Sequence, residues 1–117
     1  MRNLSAMRDR FVRDRLPVRL GNLASNLARL GDWAVQGQSC KALLDLMGEI
    51  AHQMDWSGEA GLEEVADMQR EVCSWRRAWP TAPTESVLAL RARAMSERLL
   101  ELSGLLDGSS QPGREAV

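Results

Sequence analysis

Residues 16–34 read LPVRLGNLASNLARLGDWA, and leucine dominates one side of any helix built from them. The apolar residues recur at alternating intervals of four and three, which places them all on one helix face. They are Leu16, Leu20, Leu23, Leu27, Leu30 and Ala34. Because such a face must be buried against another element, the stretch predicts a helix inside a bundle.

Three further segments repeat this spacing. They contain Cys40, Leu43, Met47, Ile50 and Met54; then Gly61, Val65, Met68, Val72, Trp75 and Trp79; then Leu88, Ala92, Met95, Leu99, Leu102 and Leu106. Tyr is absent and Phe occurs once, whereas strands favour aromatic and β-branched residues. The connections are short, and short connections make neighbouring helices antiparallel. We therefore predict an all-α protein, an up-and-down antiparallel four-helix bundle.

Glycine, serine and threonine residues fall where the spacing stops and predict the helix ends. We expect Gly37 to close the first helix in a left-handed conformation and Ser39 to cap the second. In the same way, Ser57 is expected to cap the third helix and Thr81 the fourth. The four helices are then predicted at 15–36, 39–55, 58–79 and 82–107.

The chain divides into three parts. Residues 1–14 form an amphipathic arm or short helix, because the spacing of Leu4, Met7 and Phe11 does not continue into the next helix. Pro17 explains the break, since it disfavours helical geometry at the residue before it. We expect the arm to fold back or to dock on a partner. Residues 15–107 form the bundle, and residues 108–117 are predicted to be a disordered tail.

The charges are distributed unevenly, although the formal net charge is only −1. Residues 1–30 hold seven arginines against two aspartates, whereas residues 55–71 hold six acidic residues against one arginine. Such blocks attract an anionic partner, a second copy of the chain, or each other. Lys41 is the only lysine, so a general preference for arginine over lysine is another explanation of the basic block.

No catalytic, cofactor or metal site is predicted. Glu49 and His52 have the E-x-x-H spacing of half a di-metal site, but His52 is the only histidine and lies off the apolar face. We therefore expect a surface histidine. Cys40 and Cys73 lack C-x-x-C spacing, which favours free thiols over zinc or a disulfide. Without a nucleophile beside a base or a phosphate-binding glycine loop, we expect no enzyme.

The location is expected to be cytoplasmic. The N-terminal residues lead into an arginine-rich stretch without the apolar core of a signal peptide. The longest unbroken apolar runs are about four residues, far short of the roughly 20 that a membrane span requires. Two unpaired cysteines also suit a reducing compartment.

The first long helix has two informative edges beside its leucines. The small-residue edge comprises Gly21, Ala24, Ala28 and Gly31. It allows another helix to approach closely, either within the bundle or from a partner. The arginine edge comprises Arg15, Arg19, Asn22, Asn26, Arg29 and Trp33. Arginine and asparagine bind carboxylates, phosphates and base edges, and tryptophan is common at interface hot spots, although an ordinary solvated flank has similar residues.

The sequence thus favours a non-catalytic helical interaction module that binds another protein or itself, as a homodimer, through helix faces. Leucines outside the predicted core add apolar surface for such binding, namely Leu44, Leu46, Leu90, Leu100 and Leu105. The alternative is binding of nucleic acid or another polyanion through the arginine-rich helix, against which stand a pI near 5.8 and a single lysine. Membrane-surface binding by residues 4–15 comes third, because Asp9 and Asp14 interrupt the basic face.

Overall fold

The protein is all-helical in the computed structural model, which describes residues 3–57 and 62–106. Its helices are α1 (Leu4–Val12), α2 (Leu16–Gln36), α3 (Cys40–Asp55), α4 (Glu63–Ala78) and α5 (Glu85–Leu106). No strand occurs in these two ranges. The all-α prediction is confirmed, and the helices pack as a bundle around one apolar core. The predicted tail at 108–117 and the predicted core residue Gly61 lie outside the described residues.

Two of the predicted helix ends are confirmed. Gly37 follows α2 with φ 76°, and its N–H donates to the carbonyl of Ala34, as in a left-handed helix cap. Ser39 precedes α3, and its hydroxyl oxygen accepts a hydrogen bond of 3.1 Å from the N–H of Ala42. The turn between α2 and α3 is therefore fixed by residues that the sequence already identified.

The prediction that Ser57 caps the next helix is wrong. Its buried hydroxyl donates to the carbonyl of Gln53 at 3.0 Å, which ties it to the end of α3. Helix α4 begins at Glu63, with Leu62 at the capping position. A serine can serve either helix end, because its hydroxyl both donates and accepts.

The predicted cap of the last helix is also wrong. Thr84, rather than Thr81, accepts a hydrogen bond of 3.3 Å from a backbone N–H at the start of α5, that of Val87. The reason is Pro83, which disfavours helical geometry at the residue before it, so that the helix begins only after the proline. Helix α5 accordingly starts at Glu85.

The core follows the predicted faces closely, with corrections on α3. Cys40 is exposed because it is the first residue of the helix. Leu46, predicted to lie outside the core, is only 3% exposed, and Leu44 packs partly against the core. Helix α3 contacts both α2 and α4, so it needs a wider apolar face than one line of residues supplies. Leu90, Leu100 and Leu105 are exposed as predicted.

Among the described helices, α2 packs most closely against α5. The Ser96 hydroxyl donates to the carbonyl of Ala24, and the Ser103 hydroxyl donates to that of Pro17, both at 2.7 Å. Each helix contributes residues seven apart, and the order on α5 runs opposite to that on α2. The two helices are therefore antiparallel and close enough for side chains of one to reach the backbone of the other.

Seven residues further along α2, a small residue permits this close approach. A Cβ built on Gly31 would lie 3.4 Å from the carbonyl oxygen of Ala89 in α5. Gly31 and Ala24 are buried, whereas Gly21 is half-buried and Ala28 is exposed. Two members of the small-residue edge thus serve packing within the bundle.

Helices α4 and α5 are joined across their surface by two bidentate ion pairs. Arg98 donates to both carboxylate oxygens of Glu64 at 2.7 Å, and Arg91 donates to both oxygens of Glu71 at 2.8 Å. Two residues of the acidic block therefore pair with arginines of α5 rather than with the basic N-terminal block. These pairs link α4 and α5 at the protein surface.

Acidification is expected to weaken the Arg98–Glu64 pair. The hydrogen bonds from Arg98 lower the pKa of the Glu64 carboxyl from its usual value of 4.5. A carboxylate with a lower pKa in the folded state adds stability above its unfolded pKa and loses it as the pH falls through the folded value. We expect Glu64→Gln to reduce the fall in Tm below about pH 4.5. Glu63→Gln, which removes a neighbouring charge, is the control and should leave that fall unchanged.

Candidate partner-binding site

The arginine edge lies along the seam between α2 and α3, where two of its members are bound to α3. Arg19 donates from Nη1 to the carbonyl of Trp56 at 3.2 Å, and Asn26 donates to Oε1 of Gln53 at 2.8 Å. Carbonyls at the end of a helix lack intrahelical partners, and a cation there is favoured by the helix dipole. Arg19 and Asn26 therefore hold the two helices together.

Three of the other members of the edge are exposed and the fourth is half-buried. Arg15 is exposed at the N-cap of α2, and Asn22 is exposed beside a cavity of about 280 Å³ between α1, α2 and α3. Arg29 is exposed and Trp33 is half-buried, and both line a second cavity of about 300 Å³. The structure thus divides the six predicted residues into an inner pair and an outer group.

The second cavity, which we call the Trp33 cavity, combines apolar and charged walls. Trp33 packs against the core on one side, and α3 contributes Ala42 and Leu46 on the other. Arg29 from α2, with Asp45 and Glu49 from α3, completes the lining. Such a cavity accepts an apolar side chain and offers both signs of charge to the polar groups beside it.

Helix α1 folds back over the part of the α2–α3 seam that contains Asn22 and Trp56. The sequence analysis expected the arm either to fold back or to dock on a partner. Asn3 caps it through a 3.0 Å hydrogen bond from the N–H of Ala6. Phe11 is its one buried residue, with its ring centroid 5.9 Å from that of Trp56. The cavity beside Asn22 lies under this helix, whereas no residue of α1 lines the Trp33 cavity.

His52, which the sequence predicts to be a surface histidine, lines a surface cavity together with Leu4 and Met7 of α1. The histidine is half-buried, and its ring is stacked on that of Trp56 with centroids 5.7 Å apart and planes 16° apart. Within residues 3–57 and 62–106, no three histidine, cysteine or acidic side chains are arranged to hold a metal ion. Cys40 and Cys73 are free thiols, the first exposed and the second half-buried.

Sequence reasoning missed the half of the Trp33 cavity that α3 supplies, including Ala42, Asp45 and Glu49. Their positions relative to α2 depend on how the two helices pair, which no spacing within one helix reveals. No described helix is long and apolar enough to cross a membrane. The chain matches no protein family model, no curated protein and no solved structure.

Proposed function

We propose that this protein is a non-catalytic interaction module, which binds another protein or a second copy of itself through its helix faces. The supporting observation is the Trp33 cavity, whose lining combines the half-buried Trp33 and the apolar Ala42 and Leu46 with the exposed Arg29. We further propose that α2 to α5 form an up-and-down four-helix bundle and that the protein works in the cytoplasm. The antiparallel order of contacts between α2 and α5 supports that topology.

A protein partner fits the Trp33 cavity better than a small molecule does. Tryptophan and arginine are enriched among the residues that carry most of the energy at protein interfaces. Arg29 offers paired donors to a carboxylate of the partner, while Leu46 and Trp33 receive an apolar side chain. Along the rest of the arginine edge, Arg15 and Asn22 would contact the partner at the rim.

The alternative is binding of nucleic acid or another polyanion along the arginine edge. Asp45 and Glu49 line the same cavity as Arg29, and Glu49 also lines the cavity beside Asn22. Asp45, which pairs with Lys41 at 2.8 Å, and Glu49 reduce the positive charge that this surface offers to phosphates, whereas a mixed-charge protein surface can match them. We therefore place this alternative second.

Arg29→Glu is expected to abolish partner binding while leaving the fold intact. Because Arg29 is exposed, its reversal should change the free energy of unfolding by less than about 0.5 kcal/mol. The tagged protein and its variants are used to recover partners from an extract of native host cells. A partner retained by the wild type and by the control Arg77→Glu, but lost with Arg29→Glu and with Trp33→Ala, would support the proposal.

Two outcomes would count against this proposal. Recovery that is equal for Arg29→Glu, Trp33→Ala and Arg77→Glu would exclude the Trp33 cavity as the binding site. Binding of duplex DNA or RNA that falls steeply between low and physiological salt, and that Arg29→Glu removes, would establish the polyanion alternative instead.

A further inference from the structure

Helix α5 carries a second line of regularly spaced residues, which we call the outer stripe. It comprises Ser86, Leu90, Arg93, Glu97, Leu100 and Gly104. Successive members are four and three apart, so they share the face opposite the buried residues of the same helix. Leu90 is 68% exposed and Leu100 is 55% exposed. Gly104 is half-buried, and a Cβ built on it would meet no atom of the described residues within 4 Å.

The outer stripe is symmetric about its midpoint in the size and polarity of its residues, and its two central charges have opposite signs. From either end the order is a small residue, a leucine, a charged residue, a charged residue of opposite sign, a leucine and a small residue. A second α5 can be placed antiparallel against this stripe, with the two-fold axis midway between Arg93 and Glu97. Each leucine then faces a leucine. Leu90 then meets Leu100 of the other copy, and Arg93 meets Glu97 of the other copy.

We propose that the outer stripe is a homodimer interface, in which α5 pairs antiparallel with α5 of a second copy. A two-fold interface must be self-complementary, because residue i meets j and j meets i. The stripe meets this requirement at every position, including the small ends, where Ser86 faces Gly104 and the backbones can approach. The alternation of four and three is also the spacing with which two helices interlock their side chains.

The charges select the orientation of the second copy. In the antiparallel pair, each dimer has two Arg93–Glu97 contacts and no like-charged layer, whereas a parallel pair in register would set Arg93 against Arg93 and Glu97 against Glu97. Within its own chain, Arg93 lies 3.8 Å from Asp32, and both side chains are more than half exposed. Such a pair is worth little, so it does not prevent Arg93 from contacting a second copy.

The inference rests on the self-association part of the proposed function, but it uses a different surface from the Trp33 cavity. The stripe spans 18 residue steps, or about 27 Å of helix. Its apolar content is two leucines per copy, which is modest for a stable dimer. We therefore expect an equilibrium between monomer and dimer that depends on protein concentration.

The decisive experiment exchanges the two charges. Arg93→Glu gives Glu–Glu contacts in both central layers, and Glu97→Arg gives Arg–Arg contacts in both. Sedimentation equilibrium over a series of concentrations should show each variant dimerising at least about tenfold more weakly than the wild type. An equimolar mixture of the two variants restores both opposite-charge contacts and should form a heterodimer. The double variant Arg93→Glu/Glu97→Arg should form a homodimer as strongly as the wild type.

Leucine variants test the apolar part of the interface with a matched control. Leu90→Glu should weaken the dimer at least about tenfold. Leu105→Glu should leave it unchanged, because Leu105 is on the same helix and 66% exposed but lies off the stripe. Thermal melts of all variants establish that the monomer remains folded.

Several results would overturn the inference. One is a wild type that stays monomeric at the highest soluble concentration, which would leave partner capture through the Trp33 cavity unaffected. Others are a dimer that Leu90→Glu and Leu105→Glu weaken equally, and an equimolar charge-variant mixture that does not associate. By contrast, loss of partner capture by Arg29→Glu with an intact dimer would support both proposals, because it would show that the Trp33 cavity and the outer stripe act independently.

Discussion

Leu99→Asp is expected to leave the protein unfolded at room temperature. Leu99 is fully buried in the middle of α5, and Leu23 is equally buried in α2. A carboxylate placed at either position has no cation within the apolar core, and burying it without a partner costs several kcal/mol. The total stability of a domain is about 5–15 kcal/mol, so one such substitution removes much or all of it. Leu23→Asp should have the same effect.

Leu105→Asp is the matched control, since it makes the same chemical change on the same helix at a position that is 66% exposed. Circular dichroism during heating should give a cooperative transition for this control close to that of the wild type. For Leu99→Asp the helical signal should be low before heating begins. A cooperative transition at the wild-type temperature for Leu99→Asp would mean that the buried faces are assigned wrongly.

The helices and their buried faces were predictable because the four-and-three spacing is a local property. Leu23, Ile50, Val72 and Leu99 come from four different helices, and the spacing alone places each of them in the core. The Gly37 cap was predictable for the same reason, since one residue supplies the left-handed backbone that closes α2. Features that depend only on residues close together in the sequence, such as a helix face or a helix cap, can be predicted without knowledge of the fold.

Features that depend on several helices were not predictable in this way. Leu46 is buried because α3 contacts both α2 and α4, whereas the spacing of the apolar residues in α3 indicates a single buried face. His52 is stacked on Trp56, which also meets Phe11 of the folded-back α1. Spacing reports which face of a helix is apolar, but not how many neighbours that helix has.

The arginine edge shows the same limit at the candidate site. Its six residues do share one face of α2, and yet Arg19 and Asn26 bind α3 while Arg29 and Trp33 line a cavity. The division follows from where α3 lies along α2. The carbonyl of Trp56 attracts Arg19 because it ends a helix, and the position of that end becomes known only when the two helices are paired.

Gly31→Leu should be strongly destabilising, although leucine is a far better helix former than glycine. Its Cβ would already touch the carbonyl oxygen and Cα of Ala89, at 3.4 and 3.5 Å. Because the Cβ is already in contact with α5, we expect the larger leucine side chain to push α2 and α5 apart. Separation would lengthen the hydrogen bond from Ser96 to the carbonyl of Ala24 and open gaps in the core. We expect a loss of about 3 kcal/mol or more in the free energy of unfolding.

Gly21→Leu isolates the packing effect, because a Cβ at that position would meet none of the described residues within 4 Å. The same substitution in the same helix should there stabilise the protein by about 0.5–1 kcal/mol, the difference in helix propensity. Urea titration of both variants measures the two free energies directly. Opposite signs are the expected result, because the close approach of α5 constrains Gly31 alone. Equal stabilisation by both substitutions would instead show that α2 and α5 are not held at this short distance.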